Sequence, residues 1–175
     1  MAITQPPRTH EVDIFLAVKG AKQGPIKGET NDVPHADQID VLEWSWGASS
    51  PVDMATGAKS GKRAYQVLRI TKRVDVATTA LYSALCTNEL LREVKLSVRK
   101  AGVRVGGQPA DTDYLVITLQ DAGIASMDTN SGSVESHELT DKVSFVFKKI
   151  NINYRKQGAN GVLQGNWSFE DQWAL

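Results

Sequence analysis

The sequence predicts a mainly β protein: an antiparallel β-barrel or sandwich of two sheets with one flanking α-helix at about residues 78–91. Three observations carry this. Strand-period alternation recurs along the chain, most cleanly in Val12 to Val18 and Val94 to Arg99. Gly, Pro, Asn and Ser clusters punctuate the runs. Only one stretch, from Asp75 to Glu93, has helical spacing.

In Glu11 to Lys19, Val12, Ile14, Leu16 and Val18 take one side and Asp13, Phe15, Ala17 and Lys19 the other, which predicts a first strand. Gly20, Gly24 and Pro25 make a turn, and a short strand at Ile26 to Thr30 and a loop through Pro34 follow. The central stretch is Ile39-Asp40-Val41-Leu42-Glu43-Trp44-Ser45-Trp46-Gly47. Its β-branched and aromatic residues suit a half-buried strand, with Leu42, Trp44 and Trp46 on one face. From Ala48 to Lys62 the chain is polar and almost without large apolar side chains. A connection of that length inside a domain is more often functional or disordered than merely linking.

Strand character resumes from Tyr65 to Val74. Asp75 or Thr78 then caps the helix, whose stripe is Leu81, Ala84, Leu85 and Leu91. Val94, Leu96 and Val98 against Lys95, Ser97 and Arg99 make a two-sided strand, and Ala101 to Thr112 reads as a hairpin-type connection. Tyr114 to Leu119 is apolar on both faces, and Gly123 to Gly132 reads as a strand end and turn. In Val143 to Tyr154 the apolar phase moves from odd positions (Val143, Phe145, Phe147) to even ones (Ile150, Ile152, Tyr154). A β-bulge or a strand crossing between sheets would do this. Gly158 to Gly165 loosens the chain before Trp167, Phe169 and Trp173.

At 175 residues the chain reads as a single domain, 1–175, with a flexible N-terminus at 1–10 and a variable tail at 157–175. Lys plus Arg and Asp plus Glu are 20 each, so the formal charge is zero and the basic footprint of a nucleic-acid binder is missing. One cysteine, Cys86, excludes an intrachain disulfide and a multi-thiolate zinc site, and its helical neighbours predict a small buried hydrophobe. No apolar run reaches membrane-span length, so no membrane insertion is expected, and the first ten residues do not read as a signal peptide.

No catalytic, cofactor or metal constellation emerges. His35, Asp37 and Asp32 read as solvated loop residues, since a closed zinc site needs four placed ligands. Asp75, Asp111, Asp113, Glu135 and Glu138 show no pairing pattern, and Ser45, Ser49 and Ser50 lack a nucleophile-elbow context. Lys72, Arg73 and Asp75 form a charge cluster with two readings, a solvated turn with a helix cap or a set of intersubunit ion pairs. Trp167, Phe169 and Trp173 either fold back on their own barrel or dock on a neighbour, because an exposed apolar patch of that size marks an interface.

In order, Val12 to Val18, Lys27-Gly28-Glu29-Thr30-Asn31-Asp32, Ile39 to Gly47, Thr71 to Asp75 and Val94 to Gly102 closely resemble the hemolysin-coregulated protein (Hcp) family of type VI secretion. The resemblance spans roughly Val12 to Tyr154. It implies a β-barrel with one flanking helix, assembled as a homo-hexameric ring and stacked into the inner tube of a contractile bacterial machine. Spike, sheath and effector proteins are the implied partners, the last held in the ring lumen. The implied route is assembly in the bacterial cytoplasm and then export without a cleaved signal peptide. The long loop matches the family's stacking loop, which assigns Ser49, Ser50, Pro51, Asp53, Met54, Lys59 and Lys62 to ring-to-ring contact. Lateral contacts are expected from strand edges, the helix flank, Lys72, Arg73 and Asp75, and from Trp167, Phe169 and Trp173. Competing readings are a phage or tailocin tail-tube protein, a carbohydrate-binding β-sandwich using Trp44, Trp167 or Trp173 as sugar platforms, and a hydrolase with an undetected site.

Overall fold

Alternation in the first strand becomes β1 (Val12–Gly20). It is followed by β2 (Gly24–Ile26), a 3-10 turn (Val33–His35), β3 (Ile39–Ser45), β4 (Ala48–Ser49), β5 (Ala64–Tyr65) and β6 (Leu68–Arg73). The helix α1 (Ala77–Cys86), β7 (Leu91–Lys100), β8 (Arg104–Val105), β9 (Gln108–Pro109), β10 (Leu115–Asn130), β11 (Thr140–Val146), β12 (Lys149–Gln157) and β13 (Leu163–Gln172) complete the chain. The computed structural model describes residues 12–59, 61, 63–100, 104–105, 108–109, 113–132, 138–158 and 163–172. Lys62, Trp173, the N-terminal 1–10 segment and most of the Ala101 to Thr112 connection therefore lie outside the described residues.

All the pairings are antiparallel, and six strands close on themselves in the order β11-β6-β3-β1-β7-β10, with β10 returning to β11. Two strands join the two sheets of this barrel. β3 pairs with β1 through Ile39 and Asp40 and with β6 from Val41 onward, with a register shift between Val41 and Glu43. That shift moves the core-facing phase, so Ile39 and Val41 are buried before it and Trp44 and Trp46 pack on the core after it. β10 pairs with β7 and β12 in its first half and with β11 from Gly123 to Asn130. The stretch read from sequence as a strand end and turn is thus the second half of one 16-residue strand.

The phase change after Phe147 is a crossing between sheets: β11 lies in one and β12 in the other. A barrel of this size is filled by side chains, here Leu16, Leu68, Ile70, Leu96, Ile117, Leu119, Val143 and Phe145 among others. Of the strand read as apolar on both faces, Ile117 and Leu119 are fully buried and Val116 and Thr118 only half. The segment read as a variable tail contains β13, which pairs with β12 across a register shift between Tyr154 and Lys156.

The helix is shorter than its apolar stripe suggested. Asn88 sits in the left-handed region (φ 49°), and the N–H groups of Thr87 and Glu89 bond back to the carbonyls of Ser83 and Ala84. These bonds satisfy the last turn and end the helix, so Leu91 opens β7 instead. Ala77, Leu81 and Ala84 face the core, and Cys86, expected to be buried, falls on the exposed side of that stripe.

Glycine explains one family motif. A Cβ on Gly28 would come within 2.3 Å of the Gln38 carbonyl oxygen, because the chain at 28–30 lies against 37–38 and shares backbone hydrogen bonds with it. The neighbouring Glu29 accepts the Val76 N–H at 3.0 Å, so the same short motif ties the β2–β3 loop to the start of the helix.

Candidate assembly surfaces

Residues 48–59, 61 and 63–65 belong to an arm that stands off the barrel. Ala48 pairs with Tyr65 and Ser49 with Ala64, a further bridge joins Val52 to Lys59, and the tip is a turn at Met54 to Thr56. Asp53 shapes this tip. Its carboxylate accepts the Ala55 N–H at 2.8 Å, and its own N–H donates to the Ala58 carbonyl. The Ala55 bond, followed by Thr56 contacts, holds the Asp53 carboxyl below its ordinary range. Ser49, Ser50, Pro51, Asp53, Met54 and Lys59 are all exposed, with Met54 at 94%. The arm is thus held by a few backbone pairings and the Asp53 bonds, and its described residues offer no core of their own.

At the arm's base, Tyr65 stacks on Trp46 with ring centroids 5.7 Å apart and tilts against Phe147 at 6.3 Å. Its hydroxyl donates to Asp171 on β13, and the Arg63 guanidinium donates to both oxygens of that carboxylate. The Arg63 and Tyr65 bonds hold Asp171 below its ordinary range. Burial and the Asp171 bond push the Tyr65 phenol up.

The sheet formed by β7, β10, β12 and β13 carries a second surface. Cross-strand register aligns three rows of side chains: Val94, Leu119, Ile150 and Asp171; Leu96, Ile117, Ile152 and Phe169; Val98, Leu115, Tyr154 and Trp167. Each row begins in the core. The first ends under the arm at Asp171, but the other two run out uncovered, with Phe169 46%, Tyr154 44% and Trp167 57% exposed. Tyr154 meets Trp167 at 6.1 Å and Tyr114 edge-on at 6.5 Å, giving a contiguous aromatic wall. Trp167 leans over Gly165, whose positive φ (64°) and missing side chain leave room for the indole.

The charge cluster turns inward. Lys72 is fully buried, and its ammonium donates to the Arg73 carbonyl (2.7 Å), Asp75 (2.6 Å), Thr78 (3.1 Å) and Asp141 (2.9 Å). Lys72 and Asp141 are direct cross-strand neighbours, roofed by the start of α1. Thr78 and Thr129 each donate to Asp141 at 2.6 Å. Burial pushes the Asp141 carboxyl up, but the Thr129, Thr78 and Lys72 bonds outweigh it and leave it below the ordinary range. Asp75 also accepts the Ala77 N–H at 2.9 Å, but the cap position itself is Val76, and Thr78, the other cap candidate, lies inside the helix. Lys72 and Asp75 therefore spend their charges on partners within their own protomer. Arg73 stays on the surface and bonds Glu138.

His35 is likewise not a solvated loop residue. It is 5% exposed and stacks on Phe15 at 4.2 Å, with Nδ1 3.1 Å from Gln38 and Nε2 3.0 Å from Asp113. Arg99 lies 5.0 Å from the centroid of the same Phe15 ring and bonds Asp32 and Asp13. This network covers the β1 face opposite the core, where the sequence pattern had placed Asp13, Phe15, Ala17 and Lys19.

A cleft of about 240 Å³ lies on the outer face of β3, β6 and β11, lined by Glu43, Trp44, Ser45, Arg69, Lys142 and Ser144 among others. It is smaller than the roughly 300–1,000 Å³ typical of small-molecule sites. Among the described residues, no three His, Cys, Asp or Glu side chains converge as metal ligands.

Among the described residues, an antiparallel barrel flanked by one helix is the fold of solved Hcp proteins, one of which superposes with a TM-score of 0.73 over 92% of this chain. A solved structure described as a type six secretion system protein superposes with a TM-score of 0.74 at 24% identity, covering 93% of this chain and 95% of the other. The family described as "Type VI secretion system effector, Hcp" matches residues 15–154. The protein hcp1 of Pseudomonas aeruginosa is 36% identical over 156 residues, covering 88% of this chain and 90% of the relative. A second protein of that organism, named "Major exported protein", is 26% identical over 162 residues, 84% and 91% of the two chains. The chain belongs to the Hcp family of type VI secretion proteins, a family of secreted structural proteins. No described helix is long and apolar enough to cross a membrane.

Proposed function

We propose that the chain is a subunit of a type VI inner tube, closing sideways into a hexameric ring and stacking ring on ring. The observation that carries this is the aromatic wall, where a core-facing sheet surface continues past the barrel uncovered. In a monomer, Tyr154, Trp167 and Phe169 stay in contact with water; a neighbouring protomer seated on them removes that contact. Ring closure joins different faces of successive protomers, a heterologous arrangement. The free edge of β13, the helix flank and Arg73 contribute to the lateral contact.

The arm supplies the ring-to-ring contact through Ser49, Ser50, Pro51, Asp53, Met54 and Lys59, with Lys62 as a further candidate. Export with the tube, contact with spike and sheath, and effector binding in the lumen follow from the same reading. Negative-stain microscopy of the purified protein tests it: rings and short stacks are expected, and a monodisperse monomer at high concentration refutes it. Glycan titration separates the carbohydrate-binding alternative, which requires a tryptophan fluorescence response from monomers. Trp44 is a poor platform for that role because it packs against the core.

A further inference from the structure

We infer that Asp171 is a positioning residue for tube assembly: through Arg63 and Tyr65 it fixes the angle at which the arm leaves the barrel. This rests on the tube reading above. The arm joins the barrel through paired strands of two residues each, and a two-stranded ribbon that short does not hold its own direction. Something outside the ribbon has to set it.

The only backbone tie described at the base beyond these strands is the Gln66 N–H to the Gly47 carbonyl, at 2.9 Å. The remaining fixation comes from side chains. Tyr65 is wedged on Trp46 and Phe147, and the Asp171 carboxylate receives both the phenol and the guanidinium from residues 106 and 108 positions away. A planar guanidinium gripping both carboxylate oxygens constrains orientation as well as distance. Asp171 is also well placed to be held still, since it ends a row of core side chains and its side chain is 18% exposed. Two and four residues before Asp171, the same β13 carries Phe169 and Trp167, the side chains proposed above to meet the lateral neighbour. The latch therefore links the surface that closes a ring to the arm that stacks it.

The bland alternative is a surface ion pair of little consequence, as many are. The two differ in what the arm does. Spin labels on Cys86 and on Met54→Cys, in protein diluted with unlabelled chain, report the arm-to-barrel distance by double electron–electron resonance. The otherwise unaltered protein is expected to give a narrow distribution, and Asp171→Asn and Tyr65→Phe broader ones. Tyr65→Phe keeps the ring packing and removes only the hydroxyl. Both variants are expected to form rings at the concentration the unaltered protein needs, but to require at least tenfold more protein to stack. The reciprocal pair Arg63→Asp with Asp171→Arg is expected to restore part of the stacking. Unchanged distance distributions and unchanged stacking in both single variants overturn the latch. Absence of rings from the unaltered protein overturns the tube reading instead, and the distance measurement still decides whether Asp171 sets the arm.

Discussion

Replacing Lys72 by Met separates a role in the fold from a role between subunits. The substitution keeps the aliphatic stem and removes an ammonium with four intrachain partners. Asp141 would then sit fully buried with Thr78 and Thr129 as donors but no cation. Breaking a buried ion pair from one side costs about 3–5 kcal/mol, because the remaining charge is left uncompensated. For a chain of this length that corresponds to a Tm drop of roughly 6–20 °C. The assay is urea denaturation of dilute protein followed by far-ultraviolet circular dichroism, repeated at several protein concentrations. A loss independent of concentration is expected. Adding Asp141→Leu is expected to recover part of it, since an apolar pair leaves no stranded charge. A loss below about 1 kcal/mol, or unchanged stability with broken rings, refutes the assignment of Lys72 to the core.

Replacing residues 49–62 by a short turn is expected to spare the rings and abolish stacking, as judged by analytical ultracentrifugation and microscopy; monomers alone would overturn the division between arm and wall. Trp167→Ala is expected to weaken ring closure by about 3 kcal/mol per contact, on the order of a hundredfold, from the exposed half of a large aromatic surface at about 25 cal/mol/Å². An unchanged sedimentation profile on dilution would contradict this. For His35, burial lowers the pKa but the Asp113 bond and charge and the Gln38 bond raise it more, so it lies above 6.5. A group with a raised folded pKa stabilises fully below its unfolded value and loses that contribution as pH rises through the folded one. Denaturation midpoints are therefore expected to fall as pH climbs above 6.5, and His35→Gln to flatten the slope, with Asp113, Arg99 and Asp32 still present. An identical pH profile in the variant would remove His35 from this role.

Strand order and partner choice were only partly legible in the residues. Local alternation found β1, β7 and the β11–β12 crossing because each has one face in the core. The same rule held the answer for Lys72: Leu68, Ile70 and Lys72 alternate inward on β6, as do Asp141, Val143 and Phe145 on β11. The charge cluster read from sequence held Lys72, Arg73 and Asp75 but not Asp141, and only the register shows that Lys72 and Asp141 meet. His35 was misplaced for a related reason, since its partners Asp113 and Phe15 lie on distant segments and no spacing rule connects them. Of the candidate assembly surfaces, the arm was visible as a polar insertion and Trp167 and Phe169 as aromatics without a home. Tyr154 joined them only through pairing of β12 with β13. Arg63, Tyr65 and Asp171 gave no signal beyond the alternation Trp167, Phe169, Asp171, which puts a carboxylate at the end of an apolar row.

In the proposed ring, the bare wall of aromatic residues would also set how assembly responds to its surroundings. Contacts made by removing apolar surface from water strengthen on warming from the cold, while screening by salt chiefly weakens exposed charge pairs. A subunit shed from a spent tube would re-enter rings according to temperature and dilution, with ionic strength a minor control. Chilling should therefore loosen these annuli more readily than brine.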